Sequence, residues 1–283
     1  MVRIGVHVSS SKSIDLVFDR AKSLEATTAQ FFVRSPRAWK WTERSAQEKE
    51  AFRKKKYMPV VVHASYLFNL ASDDEELRKK SIQGVIEELE LCEELGIEYY
   101  VIHAGKTKGR PEKEGIQMVI KAMEEIFSNV KLKNTTFLYE TLAGQKGELG
   151  KTTEEIYQMM EPFLKEKIGV CLDTCHLFAA GYKIDEDKGF YNYKKELDKI
   201  IGLEYVKVIH TNDSKVPFNS HKDRHESIGK GFINMRCFKL FLQDDYFSKC
   251  LFVLETPDES LYKQEIKLLK DIAEKSASVA QRG

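Results

Sequence analysis

No apolar run in this 283-residue chain approaches the ~18 residues that a membrane span needs. A basic stretch followed by an apolar leader is also missing, and the first residues already read as a strand. Neither sign of charge is in excess: 45 basic and 44 acidic side chains leave a net +1, so no global field draws the chain toward nucleic acid or membrane. Any contact with a polyanion must come from a local patch. The five cysteines, Cys92, Cys171, Cys175, Cys237 and Cys250, are odd in number and widely spaced. That excludes a disulfide framework and fits a cytoplasmic location. Cys171 and Cys175 do not have the C-x2-C spacing of a structural zinc knuckle and read as small buried fillers. There is no G-x-S-x-G elbow and no P-loop, which excludes serine-nucleophile and nucleotide-dependent chemistry. No linker, low-complexity tract or shift of composition marks a second domain. One domain over residues 1–283 is expected, its last eight or so residues a loose tail.

What the sequence does contain is a series of short apolar runs, each ending in a histidine or carboxylate. Ile4-Gly5-Val6 ends at His7, Val60-Val61-Val62 at His63, and Tyr100-Val101-Ile102 at His103. Phe137-Leu138-Tyr139 ends at Glu140, Val170-Cys171-Leu172 at Asp173, Val206-Lys207-Val208-Ile209 at His210, and Leu251-Phe252-Val253-Leu254 at Glu255. An eighth run, Phe31-Phe32-Val33, ends at Arg34. Such runs read as buried parallel strands. Between them lie helical faces, for example Ile82, Val85, Ile86, Leu89 and Cys92, stopped by Gly96. Others are Tyr262, Ile266, Leu269 and Ala273, and a capped start at Thr152 with Glu155 three residues on. Strand then helix, eight times over, predicts an α/β fold: a single (β/α)8 TIM barrel of the usual length of roughly 250 residues, with its site at the C-terminal ends of the strands.

The barrel would gather His63, His103, Glu140, Asp173, His210 and Glu255 at one mouth. His176 follows Asp173 by about one helical turn, and Asp223 and His225 share a face if their loop is extended. Five imidazoles and four carboxylates exceed the four or five ligands of one divalent ion and point to a cluster of two or three. Unpaired buried carboxylates cost several kcal/mol, and cations remove that cost. His7 is read as a hydrogen-bonding support behind the ligands. Clustered cations without a thiolate ligand suit phosphoester hydrolysis. Three loops carry the substrate signal. Arg34-Ser35-Pro36-Arg37-Ala38-Trp39 is basic and aromatic, Ala64 to Leu70 is apolar and aromatic, and the stretch from Thr211 to Gly231 is long and charged. Arg37, Trp39, Tyr66 and Leu67 at the rim, with Lys106, Lys108, Arg110, Lys146, Lys215, Lys222 and Arg224 in other loops, suit a DNA groove.

These motifs resemble the endonuclease IV family, the metal-dependent apurinic/apyrimidinic endonucleases. The resemblance runs from Ile4-Gly5-Val6-His7-Val8-Ser9 to Leu254-Glu255-Thr256. Its most specific parts are His63 to Leu70, Cys171-Leu172-Asp173-Thr174-Cys175-His176, and His210-Thr211-Asn212-Asp213-Ser214-Lys215 leading to Asp223-Arg224-His225. It implies three Zn2+ ions, with Mn2+ or Fe2+ as alternatives at one site. His63, His103 and a bridging Glu140 would hold the first. Glu140, Asp173, His210 and Glu255 would hold the second, and His176, Asp223 and His225 the third. Glu140 and Glu255 would be catalytic, Glu255 by orienting the attacking water. Arg37, Tyr66 and Leu67 would fill the gap left by a flipped abasic nucleotide. The implied activity is a DNA-repair hydrolase that cuts the phosphodiester 5′ to abasic sites in duplex DNA, leaving a 3′-hydroxyl and a 5′-deoxyribose phosphate, with 3′-repair phosphodiesterase activity beside it. A monomer with no membrane contact is expected. The rival reading is a divalent-metal sugar isomerase on the same barrel, which would not need the third ligand set. The sequence departs from the family pattern at Ser10-Ser11-Lys12, Ser35 and Ala104, all in loops of the mouth.

Overall fold

The computed structural model describes residues 2–280. Its strands, in chain order, are β1 (Arg3–His7), β2 (Thr28–Phe31), β3 (Val60–His63), β4 (Tyr99–Ile102), β5 (Thr136–Glu140), β6 (Ile168–Asp173), β7 (Val206–His210), β8 (Asp213–Ser214), β9 (His225–Glu226) and β10 (Leu251–Leu254). The helices are α1 (Leu16–Ser23), α2 (Ala46–Lys55), α3 (Glu75–Leu95), α4 (Glu112–Asn129), α5 (Thr153–Met160), α6 (Thr174–Ala180), α7 (Asp187–Ile200), α8 (Arg236–Gln243) and α9 (Tyr262–Ala280). Eight strands close a barrel in the order β1-β10-β7-β6-β5-β4-β3-β2, while β8 and β9 form a separate antiparallel ribbon. Every barrel pairing is parallel, and β10 closes on β1 through Arg3↔Leu251 to Val6↔Leu254. The α/β barrel read from the sequence is the fold observed.

Side chains alternate along a strand, so residues two apart share a face. Val61, Val101, Leu138, Cys171, Val208 and Val253 pack together inside the barrel as one apolar cluster. Two positions further along lie His63, His103, Glu140, Asp173, His210 and Glu255. The layer of donors therefore rests directly on an apolar floor, and strand register alone puts it at the mouth. The other face of the strands packs against the helices in the main core.

The sequence signals at helix ends work as expected. Thr152 caps α5 by accepting from the Glu155 N–H, and Gly96 ends α3 with φ of 65°, a left-handed turn that favours glycine. The run Phe31-Phe32-Val33 is offset from the observed strand, which ends at Phe31. The reason is that β2 turns polar residues, Thr28 and Gln30, toward the interior, so its inward face carries no hydrophobic signal. The last helix is traced to Ala280, and the end of the loose tail expected for the last eight or so residues, 281–283, lies outside the described residues.

Arg34 is also turned inward. It is 6% exposed. Its guanidinium donates to Glu88 at 2.5 Å, to Glu87 at 2.9 Å and to the Gly84 carbonyl at 2.9 Å. The rings of Trp41 and Phe68 flank it at 4.7 and 5.1 Å. Tyr100 donates to the second oxygen of Glu88. Burial pushes the Glu88 carboxyl up to about 7, and Arg34 pulls against that. Gly84 is required here, because a Cβ would come within 2.4 Å of the Phe68 ring. This cluster fixes both the loop bearing Arg37 and the loop bearing Tyr66 to α3.

Candidate metal centre

The nine donors read from the sequence meet at the barrel mouth in three sets. His63, His103 and Glu140 form one, Glu140, Asp173, His210 and Glu255 a second, and His176, Asp223 and His225 a third. Within each set the donor atoms lie within 4.8 Å of one another. Glu140 belongs to two sets and is almost fully buried, with Oε2 3.2 Å from His63 Nε2 and 3.1 Å from His103 Nε2. Its Oε1 is 3.1 Å from His210 Nδ1.

Local structure explains the third set. Asp173 ends β6 and caps α6, accepting from the His176 N–H at 2.8 Å, so His176 falls on the first turn above it. Asp223 and His225 come from the long loop after β7, which is folded rather than open. Ser214 pairs with His225 in the β8–β9 ribbon. The buried Asp213 carboxylate accepts from the N–H groups of Ser214, Gly229, Gly231 and Ile233, which ties down the far end of the loop. Two-residue strands carry too little alternation to be seen in a sequence.

Three of the imidazoles have one nitrogen held by a backbone carbonyl. His63 Nδ1 donates to Ala64 O at 2.8 Å, His176 Nδ1 to Thr141 O at 2.9 Å, and His225 Nδ1 to Glu255 O at 3.2 Å. Each therefore turns its Nε2 toward the centre. Asn212 supports the second set: its amide donates to Asp173 Oδ2 at 2.7 Å and its carbonyl accepts from the Glu255 N–H at 2.8 Å. Asn212, Asp213 and Gln30 are not among the residues the sequence singles out for a role. They are neutral or ordinary side chains most of whose partners lie 16 or more positions away, although two of them sit inside the motif after His210.

The electrostatics ask for positive charge. Among the described residues, every ion-pair partner of Glu140, Asp173, Asp223 and Glu255 is an imidazole, and none is Lys or Arg. Burial works against the charge on Glu140, yet the imidazoles of His210 and His103 hold it well below the usual carboxylate range. Burial likewise opposes charge on His176, and Asp173 and Asp223 outweigh it and raise that group well above its usual value. Burial pushes His7 down to about 4 against the pull of Glu255, and its Nδ1 lies 3.1 Å from the Gln30 amide nitrogen. The Nε2 atoms of His176 and His225 are buried with no hydrogen-bond partner. Inward-facing imidazole nitrogens, clustered carboxylates and no Lys or Arg among their ion-pair partners are a donor chemistry that fits divalent metal ions.

All five thiols are buried and free. Cys175 is more than filler by position, since its sulfur groups with Asp173 and His225. Around the centre, Tyr66 is 58% exposed, and its ring lies 5.5 Å from that of His63 and 6.4 Å from that of His103. Leu67 beside it is half-buried and Arg37 is exposed. Tyr66 lines two cavities. One of about 380 Å³ also includes Leu67, His103, Lys106 and Lys108, and one of about 610 Å³ includes His7, Lys12, Arg44 and Glu255. Lys106, Lys108, Arg110, Lys146, Lys215, Lys222 and Arg224 line the other loops, and all seven are exposed.

Comparison with known proteins narrows the family. The model of the xylose isomerase-like TIM barrel family matches residues 18–272. A protein of Sulfurihydrogenibium sp. (strain YO3AOP1), described as a probable endonuclease 4, is 62% identical over 277 residues, covering 96% of this chain and 99% of its own. This chain belongs to the endonuclease IV family. The crystal structure of endonuclease IV from Thermus thermophilus superposes with a TM-score of 0.86 at 32% identity, over 96% of this chain and 99% of that one. A D-tagatose 3-epimerase-like protein reaches a TM-score of 0.76 at 19% identity, over 98% of this chain and 99% of that one, a likeness of fold alone. As an endonuclease IV relative, the chain carries its nine donors on one barrel rim.

Proposed function

We propose that this chain is a zinc-dependent DNA-repair endonuclease that hydrolyses the phosphodiester 5′ to abasic sites in duplex DNA, leaving a 3′-hydroxyl and a 5′-deoxyribose phosphate. The observation that carries this is the third donor set, His176, Asp223 and His225, standing beside two sets joined by Glu140. A two-ion sugar isomerase has no use for it. His63, His103 and Glu140 would hold one ion, Glu140, Asp173, His210 and Glu255 another, and His176, Asp223 and His225 the third. Nitrogen-rich sets favour zinc, while the carboxylate-rich second set also accepts Mn2+ or Fe2+.

Bound there, divalent ions supply Lewis acidity toward phosphoryl oxygens and ease deprotonation of water. The protein's own part is geometric. Glu255 is the donor of the second set with the most exposed side chain, 12% against 1% for Glu140 and 0% for Asp173 and His210. Its carboxylate is thus the one able to orient a water toward phosphorus and hold that water's proton. Tyr66 and Leu67 fill the space in the base stack left by an extrahelical abasic nucleotide, which costs less to flip than a paired base. The cavities on either side of Tyr66 give that nucleotide room. Arg37 and the exposed lysines and arginines of the mouth loops meet backbone phosphates. The same centre accepts a phosphodiester at a damaged 3′ end, which gives 3′-repair activity.

Elemental analysis of the purified protein should find three zinc ions per chain, and the zinc-replete enzyme should nick a duplex carrying an abasic analogue. Removing the metal with a strong chelator should end nicking, and added zinc should restore it. Zinc-replete protein that leaves such a duplex intact, or that turns over a ketose–aldose panel instead, refutes the assignment.

A further inference from the structure

We infer that Gln30 is a positioning residue of the second donor set, selecting the imidazole nitrogen that His210 presents to a cation and locking Glu255 beside it. This rests on the metal reading above. Gln30 lies on β2 in register with His7 on β1, and it is 0% exposed. Its amide touches three groups. Nε2 is 2.6 Å from Glu255 Oε1 and 3.1 Å from His7 Nδ1, and Oε1 is 2.8 Å from His210 Nε2.

The orientation of this amide follows from donor and acceptor inventories alone. The carboxylate of Glu255 only accepts, so the NH2 of Gln30 must face it. The amide oxygen is then left for His210. That oxygen also only accepts, so His210 must carry its hydrogen on Nε2. The nitrogen left for a cation is Nδ1, which in the neutral ring is the lone pair; it points at Glu140 Oε1 at 3.1 Å, Glu255 Oε2 at 3.2 Å and Asp173 Oδ2 at 3.9 Å. In that neutral form the lone pair and the three carboxylate oxygens face a common point, an arrangement complementary to a cation. His63, His176 and His225 use the opposite tautomer, each donating through Nδ1 to a backbone carbonyl. No carbonyl serves His210, and the β2 amide takes that place. The second N–H of the same amide is occupied by His7, which gives that residue a purpose without making it a ligand.

The experiment compares the wild type with Gln30→Met, which keeps the length of the side chain and removes both polar atoms. The variant should bind zinc about 10–100-fold more weakly at one of three sites, and kcat for nicking should fall by a similar factor. KM for the abasic duplex should hold, and excess zinc should recover much of the lost turnover, which a merely structural defect would not allow. Gln30→Glu keeps an acceptor for His210 but loses the donor to Glu255, so it should retain more zinc than Gln30→Met while staying slow. Histidine 15N spectra of the wild type supply a readout independent of any variant: His210 should carry its proton on Nε2. A proton on Nδ1, or Gln30→Met with unaltered zinc affinity and kcat, overturns the inference. A wild type that binds no zinc refutes the metal reading instead, so the two failures are distinct.

Discussion

Glu255→Gln is expected to keep duplex binding and to lower turnover by about 10²–10³-fold, the range seen when one preorganised electrostatic group is removed from an active site. The change is nearly isosteric, so the fold and the rim loops have no reason to move. What changes is charge and basicity. An amide at this position cannot hold the proton of an attacking water, and it would set one amide against another at the 2.6 Å contact with Gln30 unless it rotates. Glu140 cannot take over, because it lies deeper, shared between two donor sets and closed from solvent. Single-turnover incision set beside an anisotropy measurement of DNA binding checks this. Should affinity fall in step with turnover, Glu255 serves binding and its assigned role is wrong.

Much of the centre can be read directly from the sequence because a barrel converts chain position into spatial position. Each of β3, β5, β6 and β7 ends at its donor, and His103 and Glu255 come one residue after β4 and β10. Once the period of two is known, placing one inward valine places the donor two residues later. The turn that carries His176 is likewise visible in its spacing from Asp173. The second layer of support is not. Gln30 sits on a strand whose inward face is polar, and its partners His210 and Glu255 lie 180 and 225 positions away. Asn212 and Asp213 are visible as letters in a motif, but what they hold depends on how β7, β8 and β10 are juxtaposed. Arg34 opens a basic loop and looks like one more phosphate-binding arginine. Only the packing of α3 reveals that it points inward.

Glu88→Ala should have the largest effect on stability, about 3–5 kcal/mol, as expected when one partner of a buried ion pair is removed. The cost comes less from the lost attraction than from leaving the guanidinium of Arg34 without its closest carboxylate, with Glu87 only as a more exposed partner. Tyr100, fully buried, loses its acceptor at the same time. Urea unfolding at pH 8 is the right condition, since the carboxyl, pushed up to about 7 by burial, is charged there. Because Arg34 holds the Arg37 and Tyr66 loops to α3, the same variant should bind abasic duplex less tightly while retaining its zinc. A loss of less than about 1 kcal/mol, the scale of an exposed pair, would mean that water reaches the guanidinium.

The closure of β10 on β1 has a consequence for how the protein comes into being. Glu255 is the last donor to be synthesised, and it completes a set whose other members begin at Glu140. At a translation rate of about 5–20 residues per second, the nascent polypeptide spends many seconds with most of its ligands already outside the ribosome. It cannot assemble the centre in that interval, because neither the final strand nor its pairing with the first yet exists. The donor set assigned to the attack on phosphorus is thus complete only once β10 has paired with β1.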